Sequence, residues 1–205
     1  ISVDWLQFFI MRSLNDLGTR FSFHNNFNIA TDQPIIVVAN HQSMYDIPPL
    51  IWYLRKHHPK FISKAELGKG IPSVSFNLRH GGSVLIDRKQ PQQAVLAIKN
   101  FANYIETNHR AAVIFPEGTR SRNGVPKPFQ KKGLLTLFEN IPSATVVPVT
   151  INNSWKTLRF GKFPMGLGAH ITFKVHPPKK LAEYTNHDAL VNLIETEITS
   201  AIKND

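Results

Sequence analysis

Residues 40–46 place a histidine and an aspartate five positions apart, directly after the apolar run Ile35–Ala39. On a regular helix with 3.6 residues per turn, such positions point about 140° away from each other, whereas in a loop the two side chains can meet. A carboxylate of Asp46 on one imidazole nitrogen of His41 would fix the tautomer and leave the other nitrogen as a general base. The segment therefore indicates an acid–base pair if it forms a loop.

The same segment also allows a purely structural interpretation. Ser43 and Asp46 could form a capping box, or Asp46 alone could cap the next helix. Pro48 and Pro49 follow at once, and a residue that precedes a proline is pushed away from the helical conformation. We therefore expect the next helix to begin near Pro49 and the capping box to be disfavoured.

Residues 115–122 carry hydroxyl and guanidinium groups straight after another apolar run, 111–115. Gly118 permits close approach of the backbone to a ligand, Thr119 supplies a hydroxyl group, and Arg120 has a planar fork suited to phosphate. Loops at the carboxyl ends of strands are where α/β sheets bind ligands. The pattern indicates an anion site, and a basic surface turn is the alternative.

Two further segments give weaker signals on their own. Residues 82–88 form a short apolar run that ends in Asp87 and Arg88, and such an ending is more often a surface ion pair. Residues 146–151 are almost wholly apolar and would ordinarily belong to the core.

The apolar runs before these loops are short and rich in β-branched residues, which is typical of buried strands. They lie at 35–39, 83–87, 111–115, 145–151 and 171–175. Helical patterns lie at 49–56, 91–107, 132–139 and 187–203. The alternation predicts an α/β fold with a mostly parallel central sheet flanked by helices, in a single domain over residues 1–205.

Residues 1–20 precede the sheet and contain an amphipathic helix, predicted over 3–17 from apolar residues at helical spacing. Its stripe includes Trp5 and Phe9 and could pack on the core or lie in a lipid interface. We therefore treat this helix as a candidate for membrane contact. The apolar stretches of the chain are all shorter than the roughly 18 residues that a spanning segment needs.

The composition excludes several chemistries and favours an anionic partner. With no cysteine, the chain has no thiol nucleophile, no thiolate zinc site and no disulfide. It has 24 Lys and Arg against 14 Asp and Glu, a net charge of +10. Nucleic acid and an anionic membrane surface both fit this charge, but no zinc-finger, RNA-recognition or basic heptad pattern is present. A non-catalytic basic module that binds membrane or nucleic acid is thus a remote alternative.

Taken in order, four segments resemble the four sequence blocks of the glycerolipid acyltransferase family, which includes the 1-acylglycerol-3-phosphate acyltransferases. The resemblance spans residues 36–151, the predicted catalytic region. The blocks are matched by residues 40–46 (N-H-x-x-x-x-D), 82–88 (G-x-x-F-I-D-R, with Leu85 in place of the aromatic residue), 115–120 (F-P-E-G-T-R) and 147–149 (V-P-V).

The resemblance implies catalysis by His41 and Asp46. His41 would remove the proton of an acceptor hydroxyl, Asp46 would orient it, and Asn40 would help to order their loop. Arg88 and Arg120 would hold the acceptor phosphate. With neither a cysteine nor a G-x-S-x-G elbow, direct transfer without an acyl-enzyme is favoured.

Four more residues complete the predicted substrate site. Lys64 stands in a context similar to that of a family lysine and would assist with the phosphate. Glu117 would position the acceptor or brace the loop, beside Gly118 and Thr119. After the E-G-T-R block, residues 128–133 (P-F-Q-K-K-G) have one residue more than the family's P-F-x-x-G segment. This leaves open which lysine, Lys131 or Lys132, faces the site.

The implied activity is transfer of a fatty acyl group from a thioester, acyl-CoA or acyl carrier protein, to the hydroxyl of lysophosphatidate. Another lysophospholipid or a lyso-ornithine-type lipid is the alternative acceptor. No metal and no cofactor beyond the thioester co-substrate are expected, and nucleic acid is not expected as a partner. The expected location is a membrane surface, at the cytoplasmic face of the inner or cell membrane.

Overall fold

The computed structural model describes residues 2–68, 76, 78, 80–87, 89–161 and 163–203. Within these residues, eight strands form one sheet. They are β1 (Arg20–His24), β2 (Ile35–Ala39), β3 (Lys60–Lys64), β4 (Val84–Ile86), β5 (Ala111–Ile114), β6 (Thr145–Asn152), β7 (His170–Val175) and β8 (Lys179–Lys180). The strand order is β1-β7-β6-β2-β5-β3-β4, and β8 pairs with β6.

The centre of the sheet is parallel. Strand β2 pairs in parallel with β5 and β6, and β3 pairs in parallel with β5 and β4. Only β7 and β8 run antiparallel to β6, while β1 runs parallel to β7. The carboxyl ends of β2 to β6 therefore lie along one edge, where α/β sheets bind ligands.

Five α-helices flank the sheet in the described part of the chain, and the prediction of a mostly parallel sheet between helices is confirmed. They are α1 (Ser2–Asp16), α2 (Ile47–Tyr53), α3 (Pro91–Asn108), α4 (Lys131–Asn140) and α5 (His187–Ser200). Helix α3 has a proline in its first turn, where the missing N–H would be unpaired anyway, and the Asn186 side chain caps α5.

Both faces of the central strands are covered, which explains their unbroken apolar runs. Ile36 and Val38 belong to the core beneath α3, α4 and α5. Ile35, Val37 and Ala39 belong to the opposite core, which includes Leu50 of α2. All five residues of β2 are fully buried. The loop after β2 thus starts from a rigid support.

The start of α2 corrects one prediction. The helix begins at Ile47 and not near Pro49, and a 3-10 helix, Met44–Asp46, leads directly into it. Pro48 and Pro49 are accommodated because they lie in the first turn, where backbone N–H groups have no partner within the helix.

Strands β1, β3 and β8 escaped the sequence analysis. In β1, Phe21 and Phe23 pack against the core, whereas its end residues Arg20 and His24 are exposed. In β3, Phe61 is the single fully buried residue. Such half-exposed strands lack the continuous apolar run that identified the others.

Helix α1 is amphipathic as predicted and only partly covered. Met11 and Leu14 are buried, and Phe8 contacts Trp52 of α2 with ring centroids 4.9 Å apart. Trp5 and Phe9 remain 51% and 60% exposed. Among the described residues, no helix is both long enough and apolar enough to cross a bilayer.

Candidate active site

His41 and Asp46 meet in the loop after β2. Nδ1 of His41 lies 2.7 Å from Oδ2 of Asp46. That same oxygen accepts the backbone N–H groups of Gln42 and Ser43, at 2.7 and 2.9 Å. Because Oδ2 is already an acceptor for two N–H groups, the His41 nitrogen must be the donor. The proton of the neutral imidazole is therefore on Nδ1, and Nε2 carries the free lone pair.

The structural interpretation of this segment also holds. Ser43 accepts the N–H of Tyr45 through its side chain, and Asp46 accepts the N–H of Ser43, which together make a capping box. On the sequence, the box and the His41 contact are alternatives, and the prolines disfavour the box. Both occur, because one fully buried carboxylate oxygen serves the cap and the imidazole together.

The peptide groups on either side of His41 are held by the loop after β5. The N–H of His41 donates to Oε1 of Glu117 over 2.7 Å. Its carbonyl accepts two hydrogen bonds from Ser121, from the backbone N–H at 2.7 Å and from the hydroxyl at 3.1 Å. The F-P-E-G-T-R block and the serine that follows it thus fix the residue that the first block supplies.

Glu117 uses both of its carboxylate oxygens on the backbone. Oε2 accepts the N–H of Lys127 over 2.9 Å, and the side chain is almost fully buried. Burial raises the pKa of the Glu117 carboxyl, while the N–H groups of His41 and Lys127 oppose that increase. Of the two predicted roles for Glu117, this geometry favours the brace of the loop.

Phe115 joins the imidazole to an apolar cavity. Its ring stacks on the ring of His41, with centroids 4.1 Å apart. The same residue borders a cavity of about 190 Å³. The apolar lining consists of Ile62, Ile86, Pro91, Ala94, Val95, Ile98, Ile114, Phe115 and Pro116.

Of the two lysines that could face the site, Lys131 and Lys132, one borders the cavity and the other does not. Lys132 lines the cavity together with Gln130 and Gly133. Lys131 points elsewhere, with its Nζ 3.7 Å from a carboxylate oxygen of Asp188 on α5. Helix α4 therefore presents Lys132 and Gly133 to the cavity.

Asn40 ties the catalytic loop to β6. Its side-chain amide donates to the carbonyl of Ile151 at 2.8 Å and accepts the N–H of Ile151 at 2.6 Å. Backbone pairing of β2 with β6 ends one residue earlier, at Ala39 opposite Val149. The buried amide thereby extends the attachment to β6 by one residue and supports the predicted ordering role.

The predicted phosphate ligands lie at the same edge of the sheet. Lys64 ends β3, and Arg120 follows β5; both are partly exposed, and neither forms an ion pair with a residue that the structure describes. Thr119 is exposed beside them. Arg88 lies outside the described residues, so its prediction stands on the sequence.

Gly118 sits at a sharp turn before these groups. Its φ of 72° lies in the left-handed region, and its N–H donates to the carbonyl of Phe115 over 3.0 Å. A residue with a Cβ would be strained in this conformation. The turn sends the chain back toward His41 and leaves Thr119 and Arg120 on the outside.

Sequence reasoning missed three contributors to this arrangement. Phe115 was not assigned a role, Ser121 was counted only among the hydroxyl groups of residues 115–122, and the backbone of Lys127 was not considered. An aromatic residue at the end of a strand before Pro-Glu-Gly could have suggested a ring beside the site. The backbone hydrogen bonds of Ser121 and Lys127 have no such signal, because every residue except proline has a backbone N–H.

Comparison with known proteins identifies relatives. A family model described as Acyltransferase matches residues 20–152. A 1-acyl-sn-glycerol-3-phosphate acyltransferase of Helicobacter pylori is 37% identical over 125 residues, 59% of this chain and 49% of that protein. A chloroplastic protein of the same name from Brassica napus is 30% identical over 149 residues, 73% of this chain and 42% of that protein. The chain thus spans less than half the length of these curated relatives.

A solved structure gives a longer match. The crystal structure of the 1-acyl-sn-glycerophosphate acyltransferase PlsC from Thermotoga maritima superposes with a TM-score of 0.80 at 28% identity, over 97% of this chain and 77% of that one. The four sequence blocks, the matching family model and this shared fold agree, and the chain belongs to the acyltransferase family.

Proposed function

We propose that this protein transfers a fatty acyl group from an acyl thioester to the free hydroxyl of lysophosphatidate, giving phosphatidate. The observation that carries the proposal is the His41–Asp46 pair, in which Asp46 holds the Nδ1 proton and leaves Nε2 as the basic nitrogen. The His41 side chain keeps 13% of its surface exposed, so a substrate can reach it. The names of the relatives support the choice of acceptor.

Nε2 of His41 acts as the general base in the chemical step. As the acceptor oxygen attacks the thioester carbonyl carbon, its proton passes to Nε2 of His41, and a tetrahedral oxyanion forms. Collapse of this intermediate breaks the carbon–sulfur bond, and the thiolate leaves with the proton from Nε2. The products are an ester and a free thiol, and His41 is neutral again. Asp46 stabilises the imidazolium that forms between the two steps.

The apolar cavity is suited to the acyl chain. Phe115 and Pro116 border it next to His41, and Ile98 of α3 and Ile114 of β5 lie among its apolar walls. Each methylene group removed from water contributes about 0.8 kcal/mol. A chain that enters this cavity would bring its thioester end toward the imidazole.

The cations at the edge of the sheet are suited to the acceptor. Arg120 can bind a phosphate with two parallel N–H groups, and Lys64 adds a point charge. On the sequence, Arg88 would join them. These cations favour the doubly charged phosphomonoester that lysophosphatidate has and a lyso-ornithine lipid lacks.

We further propose that the enzyme works at an anionic membrane surface. Its net charge of +10 and the exposed Trp5 and Phe9 of α1 support this location, because basic residues bind anionic lipids and shallow apolar side chains insert at the interface.

One assay tests the proposal. The purified protein is incubated with acyl-CoA and, separately, with acyl carrier protein that bears the same acyl group. A panel of lysophosphatidate, lysophosphatidylethanolamine and lyso-ornithine lipid serves as acceptors, and products are read by mass spectrometry. We expect phosphatidate to form faster than the products of the other two acceptors. With the His41→Ala variant, we expect no product. Preference for another lysolipid would show that lysophosphatidate is the wrong acceptor. No transfer from either donor would favour the alternative of a non-catalytic basic module that binds membranes.

A further inference from the structure

Three large apolar side chains are exposed on the connection between the 3-10 helix Ser154–Leu158 and β7. Phe160, Phe163 and Leu167 are 61%, 92% and 69% exposed. Single exposed apolar residues are common on soluble proteins, but three strongly exposed ones within eight residues of one connection indicate an interaction surface. We call these three residues the apolar patch.

The backbone that carries the apolar patch is anchored at its base. The N–H of Gly166 donates to the carbonyl of Thr157 over 3.0 Å, and the N–H of Gly168 donates to the carbonyl of Leu17 beyond α1. Gly166 is buried, and a Cβ at this position would collide with the carbonyl oxygen of Lys156. The apolar patch therefore projects from a fixed support.

This support is in contact with the catalytic loop. The hydroxyl of Tyr45 donates to the sulfur of Met165 at 3.7 Å. On the other side, the hydroxyl oxygens of Ser43 and Thr157 are 3.3 Å apart. Since Ser43 and Tyr45 lie between His41 and Asp46 in the sequence, whatever binds the apolar patch is held beside the active site.

The charges around the apolar patch favour an anionic partner. The guanidinium of Arg159 lies 4.5 Å from the ring centre of Phe160, and the ammonium of Lys156 lies 5.9 Å from that of Trp155. The sequence contains no Asp or Glu between Glu139 and Glu183. Apolar rings beside arginine and lysine, in a stretch of sequence without acidic residues, match the boundary between lipid phosphates and acyl chains.

We propose that the apolar patch inserts into the headgroup region of an anionic bilayer and holds the active site against the surface that contains the acceptor. This inference rests on the proposed function, since a lipid acceptor gives the contact its purpose. It adds a second membrane contact to the one proposed for α1. The two are separable, because they lie on different segments of the chain.

A labelling experiment tests the insertion directly. The chain has no cysteine, so Phe163→Cys provides one attachment point for an environment-sensitive fluorophore. With vesicles of phosphatidylglycerol and phosphatidylcholine, we expect a blue shift and quenching by lipids brominated on their acyl chains. Leu193→Cys, a partly exposed leucine on α5, is the matched control and should show neither change. An unshifted probe at position 163 would overturn the proposal, whether or not the protein transfers acyl groups.

A second experiment measures the consequence for activity. The variant Phe160→Ser/Phe163→Ser is compared with Leu96→Ser/Leu193→Ser, which removes two other exposed apolar side chains, from α3 and α5. We expect the first variant to bind anionic vesicles at least tenfold more weakly and to lose transfer to vesicle-embedded lysophosphatidate by a similar factor. Transfer to a short-chain, monomeric lysophosphatidate should be retained.

The two acceptors separate the possible failures. Equal loss with the monomeric and the embedded acceptor would show that the aromatic residues act on the catalytic loop and not through a bilayer. Wild-type vesicle binding by the Phe160→Ser/Phe163→Ser variant would also overturn the insertion. If the wild-type protein transfers to neither acceptor, the proposed function fails, while vesicle binding still decides the role of the apolar patch.

Discussion

The imidazole of His41 and the ring of Phe115 lie nearly parallel, with 17° between their planes. Phe115 follows β5 directly and also borders the apolar cavity. The base and the proposed acyl site thus share one aromatic wall. A ring in this position restricts the tilt of the imidazole without competing for its nitrogen atoms.

Replacement of His41 by alanine should lower kcat by about 10² to 10⁴, the usual contribution of a general base. Asp46→Asn should lower kcat by about tenfold or more with little change in acceptor KM, because the amide still accepts from Nδ1 but no longer stabilises an imidazolium by charge. Steady-state kinetics measure both effects, and circular dichroism checks the fold. Near-normal turnover in a folded His41→Ala protein would refute the mechanism.

Glu117→Gln should reduce stability and turnover together. The amide has one acceptor oxygen for two backbone N–H groups, so its NH2 must face the N–H of either His41 or Lys127. A buried donor without an acceptor costs about 1–3 kcal/mol. We expect a lower Tm and a lower kcat, with Glu139→Gln on the exposed side of α4 as control. A change confined to acceptor KM would instead assign Glu117 to substrate binding.

Arg120→Lys should raise the KM for lysophosphatidate by about tenfold and leave the KM for the thioester unchanged. The substitution keeps the charge but removes the planar fork that binds phosphate through two hydrogen bonds. Arg122→Lys, two residues further along and exposed, is the control. If only the thioester KM moved, Arg120 would belong to the donor site.

Gly133→Leu should shorten the acyl chains that the enzyme accepts. A Cβ at this position would lie 3.5 Å from Ile114 Cδ1 and 3.6 Å from Ile98 Cδ1, which is ordinary contact, so the backbone position tolerates a side chain. The larger side chain would fill part of the cavity. Competition between long and short acyl donors measures the shift, with Gly133→Ala as the conservative control. An unaltered chain-length profile would place the acyl chain elsewhere.

The protein should lose stability as the pH falls below about 6.5, the ordinary pKa of histidine. The hydroxyl of Thr150 donates to the carbonyl of Ile198, so it must accept from Nε2 of His176, and the neutral ring satisfies this contact. Burial and, secondly, Lys174 lower the pKa of His176. The unfolded chain therefore binds a proton in this range that the folded chain does not, and unfolding becomes easier by at most about 1.4 kcal/mol per pH unit for each such group.

Replacement of His176 measures its share of this dependence. His176→Gln, which retains an N–H donor for Thr150, should show a smaller fall in Tm between about pH 7.5 and about pH 5.5 than the wild type. His24→Gln, at an exposed position, is the matched control. Burial also lowers the pKa of His57, so this residue destabilises the protein at low pH in the same way. Some dependence of Tm on pH should therefore remain in the His176→Gln protein. An identical slope in the His176→Gln protein would exclude the buried ring as a source.

The central strands and the catalytic pair could be predicted because their signals are local. The run Ile35–Ala39 is apolar throughout since both faces of β2 are covered, and the five-residue spacing of His41 and Asp46 fits within one loop. Strand β1 could not be found in this way, because an edge strand keeps polar residues at both ends. The start of α2 was misjudged because the N–H that proline lacks has no partner in the first turn of a helix anyway, so Pro48 and Pro49 do not delay its start.

The hydrogen bonds that hold the catalytic loop could not be predicted, because they join residues far apart in the sequence. Glu117 and Ser121 hold the peptide groups of a residue more than 70 positions away, and Asn40 bonds to Ile151 across two strands. These contacts depend on the order of β2, β5 and β6 in the sheet. No local pattern encodes that order, although Asn40 and Glu117 lie within the sequence blocks themselves.

Arg120 lies in the sequence between the two residues that hold His41, with Glu117 on the N–H side and Ser121 on the carbonyl side. If Arg120 binds the acceptor phosphate, as we propose, the phosphate would be connected to the backbone of His41 through Glu117 on one side and Ser121 on the other. An acceptor without a phosphate would then leave the base correctly built but without this additional restraint on its loop.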